Sequence, residues 1–104
     1  MATLTQITTY QVQYSSNTFP PRIWLSNGAK PLGQLIFNPD GTVLPADTLV
    51  GGQVNLYYHL ENFQHVLDLL SEEKAVYLLW AGSGPGSENG IQTVGEPLGN
   101  LPAR

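Results

Sequence analysis

The sequence predicts an α+β fold, in which a mainly antiparallel β-sheet of five to seven short strands carries one principal amphipathic α-helix packed on one face. Two observations predict this class. Apolar residues recur at helical spacing between residues 60 and 70, with a strand-like segment on either side. Alternating segments separated by turn signals precede this region. With 104 residues, the chain is expected to form a single domain, 1–104.

The first unit, residues 9–44, is expected to be an antiparallel β-meander. In its first strand Tyr10, Val12 and Tyr14 point to one side and glutamines to the other, which is typical of a half-buried strand. Further strands are expected at residues 23–25, 32–37 and 42–44. The motif Asn-Pro-Asp-Gly before the last of these predicts a type I turn with its asparagine first. Residues 45–52 connect the meander to the next unit.

The central unit, residues 54–80, is expected to be a strand–helix–strand core. Apolar residues at spacings of three and four define one helix face: Leu60, Phe63, Val66, Leu67 and Leu70. Leu67 is expected to be the most deeply buried of them. The second strand, 76–80, is an unbroken apolar run, which favours cover on both faces. Because the helix covers only one face, a second subunit or a loop is expected to cover the other.

The last segment, residues 82–104, is a Gly/Pro-rich tail in which nine of 23 residues are glycine or proline. A short edge strand is expected at 91–94 and an extended tail beyond residue 95. The glycine loop 82–86 follows a strand, as phosphate-binding loops do. However, no helix follows it and no lysine stands beside it. Binding of a phosphate-bearing ligand is therefore the weakest of three functional hypotheses.

Charge and composition narrow the functional classes. The net charge is −4, and the four basic residues are scattered, which does not favour nucleic-acid binding. Charged residues make up 12% of the chain, about half of the usual share. So few charges protect a small domain weakly against association, so a homo-oligomer is expected. The alternative is a monomer covered by uncharged polar side chains.

Other classes are excluded by what the sequence lacks. The chain has no cysteine, which rules out disulfides, thiolate nucleophiles and zinc–cysteine sites. It shows neither a signal-peptide pattern nor an apolar run near the ~20 residues of a membrane-spanning helix, so a cytoplasmic protein without membrane association is predicted. No cofactor is predicted.

Two histidines are weak candidates for catalysis or metal binding. His59 lies at the strand-to-helix junction, where it would act as a general base. Helical spacing places Glu61, His65, Asp68 and Glu72 on one face, where they offer oxygen and imidazole ligands or a carboxylate that tunes His65. The simpler interpretation is a solvated helix face, because a single stripe does not enclose an ion. No metal site is therefore predicted.

Aromatic residues are the better candidates for a binding surface: Trp24, Tyr57, Tyr58, Tyr77 and Trp80. Adjacent strand residues point to opposite faces, so one of Tyr57 and Tyr58 must lie off the helix-covered face. The sequence thus predicts a non-enzymatic binding or assembly module that self-associates through an aromatic sheet face or an edge strand. Its partner is a second copy, another protein or a small neutral ligand. The alternative is a small enzyme that uses His59 or His65 with a nearby carboxylate.

Overall fold

The computed structural model describes residues 2–73 and 75–94 and confirms an α+β fold. The strands are β1 (Thr3–Ile7), β2 (Thr9–Gln13), β3 (Arg22–Asn27), β4 (Lys30–Asn38), β5 (Thr48–Val50), β6 (Gln53–His59), β7 (Val76–Trp80) and β8 (Gly90–Thr93). A short 3₁₀ helix, Leu60–Asn62, leads directly into α1 (Phe63–Glu72). The expected tail, residues 95–104, lies outside the described residues.

The strands form two sheets where the sequence pattern predicted one. The larger has the order β2-β3-β4-β6-β5, and the smaller has the order β1-β7-β8. All neighbours are antiparallel except β4 and β6, which run parallel. Strands β2, β3 and β4 form the predicted meander, and β8 is the predicted edge strand. Within the residues described, no helix is long and apolar enough to cross a membrane.

The strand–helix–strand unit connects the two sheets. Strand β6 lies inside the larger sheet, whereas β7 lies at the centre of the smaller one, so the two strands are not neighbours. Side chains from both sheets and from α1 share one core. Its most deeply buried members come from the larger sheet: Phe37, Ile23, Leu35 and Leu56. The smaller sheet contributes Ile7, Val76 and Leu78. The helix therefore fills the space where the sheets meet.

The expectation for the helix core is wrong in one detail. Leu67 is only half-buried, whereas Val66 and Leu70 are buried, each with 8% of its surface exposed. Helical periodicity identifies the apolar face but not its rotation about the axis. That rotation depends on the two sheets, which the local pattern does not specify.

The first meander strand is less buried than its alternation predicted. Tyr10 and Val12 are paired with Leu25 and Ile23 and so share the core side of the sheet. They remain 38% and 39% exposed, and Tyr14 is 66% exposed. These side chains are exposed because β2 is an edge strand, at the open end of the core.

The turn after β4 is shifted from its predicted place. The N–H of Thr42 donates to the carbonyl of Pro39 at 3.3 Å, so the turn starts at Pro39 and not at Asn38. Gly41 then occupies the third position, with φ +82°. Residues 42–44 form no strand, and Val43 is 95% exposed. The prediction of a fourth meander strand at residues 42–44 is therefore wrong. Strand β5, which lies inside the predicted connection 45–52, pairs with β6 instead.

The parallel pair β4–β6 depends on a glycine. Gly33 faces Val54 in the register and has φ +137°, a conformation that other residues rarely adopt. A Cβ atom placed there would lie 2.2 Å from the carbonyl oxygen of Val54. This oxygen is backbone inside a sheet, so it cannot move aside without disturbing the pairing.

We expect Gly33→Ala to destabilise the protein by about 2–5 kcal/mol, because backbone strain adds to overpacking. Gly84→Ala is the matched control, since Gly84 has no atom within 4 Å of the new methyl group. Urea unfolding measures both changes. The control should stay within about 1 kcal/mol of the parent. Equal stability of the two variants would contradict the β4–β6 register.

Candidate functional site

The five aromatic candidates lie on different surfaces. The pairing registers place Trp24 and Tyr57 on the outer side of the larger sheet and Tyr77 on the outer side of the smaller one. Tyr58 and Trp80 pack against the core, and the ring of Tyr58 stacks on Phe37 with centroids 5.4 Å apart. No single face brings the five together.

The outer side of the larger sheet is a band of mutually bonded polar groups. Trp24 Nε1 donates to Gln13 Oε1 at 2.9 Å. Gln34 Nε2 donates to Asn55 Oδ1 at 2.9 Å, and Asn55 Nδ2 donates to the hydroxyl of Thr48 at 3.0 Å. These side chains bond to one another across the strands, whereas Gln34 Oε1 and Arg22 Nε on the same face are buried without a hydrogen-bond partner in the described part of the chain. A face with this many polar groups does not suit an apolar docking surface.

The outer side of the smaller sheet is partly covered. Along β7, Val76 and Leu78 are buried in the core, whereas Tyr77 and Leu79 on the opposite side are half-buried. Leu79 faces Leu4 of β1, which is 53% exposed. Strand β7 was predicted to be covered on both faces. Within the residues the structure describes, it is fully covered only on the core side.

The glycine loop lines a cleft of about 390 Å³ together with residues 44–47 and Tyr57. Among the lining residues, Asp47 is the only one with a charged side chain. A carboxylate raises the electrostatic free energy of a nearby anion, and the loop contributes no basic group. The cleft therefore lacks the positive charge that binds phosphate groups.

Two side chains that the sequence reasoning missed fix this loop. Asn89 Oδ1 accepts from the N–H of Ala81 at 2.7 Å, and Asn89 Nδ2 donates to the carbonyl of Gly82 at 2.8 Å and to Asp47 Oδ2 at 3.0 Å. Asp47 Oδ1 in turn accepts from the N–H of Tyr57 at 3.0 Å. Both residues stand in turn-like segments, where asparagine and aspartate are common, and only the fold reveals the pairing across 42 positions.

His59 has a structural contact. Its Nε2 lies 2.7 Å from the carbonyl oxygen of Thr42, which requires a proton on that nitrogen. Nearby, Asp40 Oδ1 accepts from the N–H of Glu61 at 2.7 Å and so caps the start of the 3₁₀ helix from a distant turn. In the described part of the chain, His59 bonds to backbone and not to a carboxylate, so the acid–base pair expected of an enzyme is not assembled around it.

The helix stripe stays at the surface. His65, Asp68 and Glu72 are exposed on α1, and Glu61 is exposed in the preceding 3₁₀ helix. Asp68 Oδ1 accepts from Gln64 Nε2 at 2.8 Å. Over residues 2–73 and 75–94, no group of three histidine or acidic side chains is placed to hold a metal ion.

The open edge of the two sheets is the most distinctive surface. Strand β1 pairs only with β7, and β2 pairs only with β3, so each has one unpaired side among the described residues. The two strands follow one another with only Thr8 between them, and each is an edge strand of a different sheet; the edge of the larger sheet is β2, Thr9–Gln13. The first charged residue is Arg22, and this edge contains no proline. Natural proteins usually protect such edges with charges, prolines or bulges.

Comparison with known proteins identifies no family. The chain matches no protein-family model, no curated protein and no solved structure.

The partly buried Tyr58, close to Asp47, makes the stability of the protein depend on pH. Burial, with a smaller contribution from the Asp47 carboxylate, raises the pKa of Tyr58 from 10.0 to about 12. The folded protein therefore keeps the neutral phenol at a pH where the unfolded chain ionises. The stability associated with this proton is present below pH 10.0 and is lost as the pH rises towards about 12.

We expect the free energy of unfolding to fall by about 2–3 kcal/mol over this range because of Tyr58. Tyr58→Phe removes the ionisable group, so the variant should lose this part of the pH dependence. Urea unfolding at several pH values between 9 and 12 measures the slope for both proteins. An identical alkaline slope in parent and variant would contradict the assignment to Tyr58.

Proposed function

We propose that the chain is a small non-enzymatic binding and assembly module that self-associates through edge strand β2. The observation that carries this proposal is the uncharged and proline-free edge strand β2 of the larger sheet, which pairs only with β3 among the described residues. Such an edge presents a row of backbone N–H and C=O groups to which another strand adds directly.

Side chains on β2 support pairing with another protein surface. Tyr10, Val12 and Tyr14 lie on one side of the strand and are exposed. The ring of Tyr14 meets Phe63 edge to face, with centroids 5.9 Å apart, which fixes its orientation before any partner binds. Tyrosine has an apolar body and a polar tip, and this combination is favoured at interfaces.

The two shortest edge strands are weaker candidates. Strand β5 has three residues and β8 has four, and short edge strands offer few hydrogen bonds to a partner. Charge also favours β2. The net charge of −4 opposes the approach of two copies, but none of the charged side chains lies within the first 21 residues.

We expect the parent protein to have a mass of twice 11.3 kDa or a higher multiple by light scattering after size exclusion. Val12→Lys should reduce this mass to 11.3 kDa, because each copy would bring a positive charge to the shared edge. Val50→Lys is the matched control. Val50 is also an exposed edge valine, at 67%, but it lies on β5 at the other end of the sheet.

The control variant should keep the parent mass. Circular dichroism of both variants checks that each remains folded. A parent protein of 11.3 kDa would overturn self-association, and equal effects of the two lysines would overturn the choice of β2.

A further inference from the structure

Residues 10–14 read Tyr-Gln-Val-Gln-Tyr in both directions, with Val12 at the centre. We infer that β2 pairs antiparallel with β2 of a second copy about a two-fold axis at Val12. This inference rests on the proposed function and specifies the partner and the register. Val12 would face Val12 of the second copy, and Tyr10 would face Tyr14 of the second copy.

The hydrogen bonding of the sheet determines which residues of β3 point towards β2. The N–H of Phe37 donates to the carbonyl of Pro21, its direct neighbour in the β3–β4 register, at 3.0 Å. Bonding and non-bonding pairs alternate in an antiparallel ladder, so Ile23 also directs its backbone groups towards β4. Arg22 and Trp24 then direct theirs towards β2.

The same alternation fixes the free side of β2. Gln13 and Gln11 face Arg22 and Trp24, so their backbone groups bond within the sheet. Tyr10 and Val12 therefore direct their N–H and C=O groups outwards, and Tyr14, directly after β2, would join them when pairing extends the strand by one residue. These are the residues that face one another in the inferred register. Three facing pairs that each exchange two bonds give about six hydrogen bonds between the copies.

The side chains match in this register and not in its neighbours. Facing residues share one side of a sheet, so tyrosine meets tyrosine and valine meets valine on the core side. Glutamines meet on the outer side, and no like charges face each other. Moving the axis by one position along each strand, to Gln11 or Gln13, would leave a tyrosine facing Thr8 or Ser16. In a two-fold interface residue i faces residue j and j faces i, so the contact of Tyr10 with Tyr14 occurs twice.

The expected assembly is a continuous sheet. Each copy contributes its five strands, and both helices lie on the same side because the two-fold axis is perpendicular to the sheet. The edge is then closed for both copies, which limits growth through β2 to a dimer.

Cysteine cross-linking tests the register, because the natural chain contains no cysteine. Val12→Cys would place two thiols on facing residues, with Cα atoms about 5.5 Å apart, inside the range that a disulfide bridges. Gln11→Cys and Gln13→Cys are the controls. Each new cysteine would lie diagonally across from the same residue of the second copy, with Cα atoms roughly 7–8 Å apart, beyond that range. Non-reducing electrophoresis after mild oxidation measures the covalent dimer.

We expect Val12→Cys to cross-link at least about tenfold faster than either glutamine variant, and the double variant Tyr10→Cys with Tyr14→Cys to cross-link as well, because those positions face each other. Faster linkage at Gln11 or Gln13, or no linkage in a dimeric parent, would overturn the register while self-association stands. A monomeric parent in light scattering would overturn both the register and the proposed function.

Discussion

The structure depends on one segment, residues 3–13, whose first strand belongs to the smaller sheet and whose second strand belongs to the larger. Strands β1 and β2 are separated only by Thr8, and the chain passes there from the smaller sheet to the larger. Three hydrogen bonds fix this passage: Thr8 N–H donates to Ser26, the N–H of Gly28 donates to Thr8 Oγ1, and Asn27 Nδ2 donates to Gln6. The β3–β4 turn thereby holds the two sheets together around their common core. Among the described residues, β1 pairs only with β7 and β2 only with β3, so each strand has one side without a strand partner.

Several polar side chains, among them the catalytic candidate His59, make structural hydrogen bonds. Asp40 caps the short 3₁₀ helix, His59 binds the turn that carries Asp40, and Asp47 with Asn89 fastens the glycine loop to β6. Each contact satisfies a backbone group that would otherwise lack a partner. In the described part of the chain, β2 has one side without a strand partner, and association is therefore proposed at that edge.

Much of the fold was accessible from the sequence, because periodicity is a local property. Alternation at residues 10–14 predicted β2, and helical spacing from Leu60 to Leu70 predicted the helix. Pairing between distant strands was not accessible. Nothing local shows that β6 and β7 belong to different sheets, that Val66 and not Leu67 is buried, or that Thr42 ends a turn and bonds to His59. For the candidate site, an edge strand was expected, but which strand lies at an edge follows only from the strand order.

Hydrogen exchange at single amides of β2 tests the central claim most directly, because it reports which backbone groups are bonded. The amide of Gln11 bonds within the sheet, so its exchange should be slow at every protein concentration. The amide of Val12 faces the open edge and should exchange rapidly in dilute solution and progressively more slowly as the concentration rises. Slow exchange of Val12 that does not depend on concentration would mean that the edge is closed within one chain. Rapid exchange at all concentrations would mean that no second copy pairs there, and either result would contradict the account.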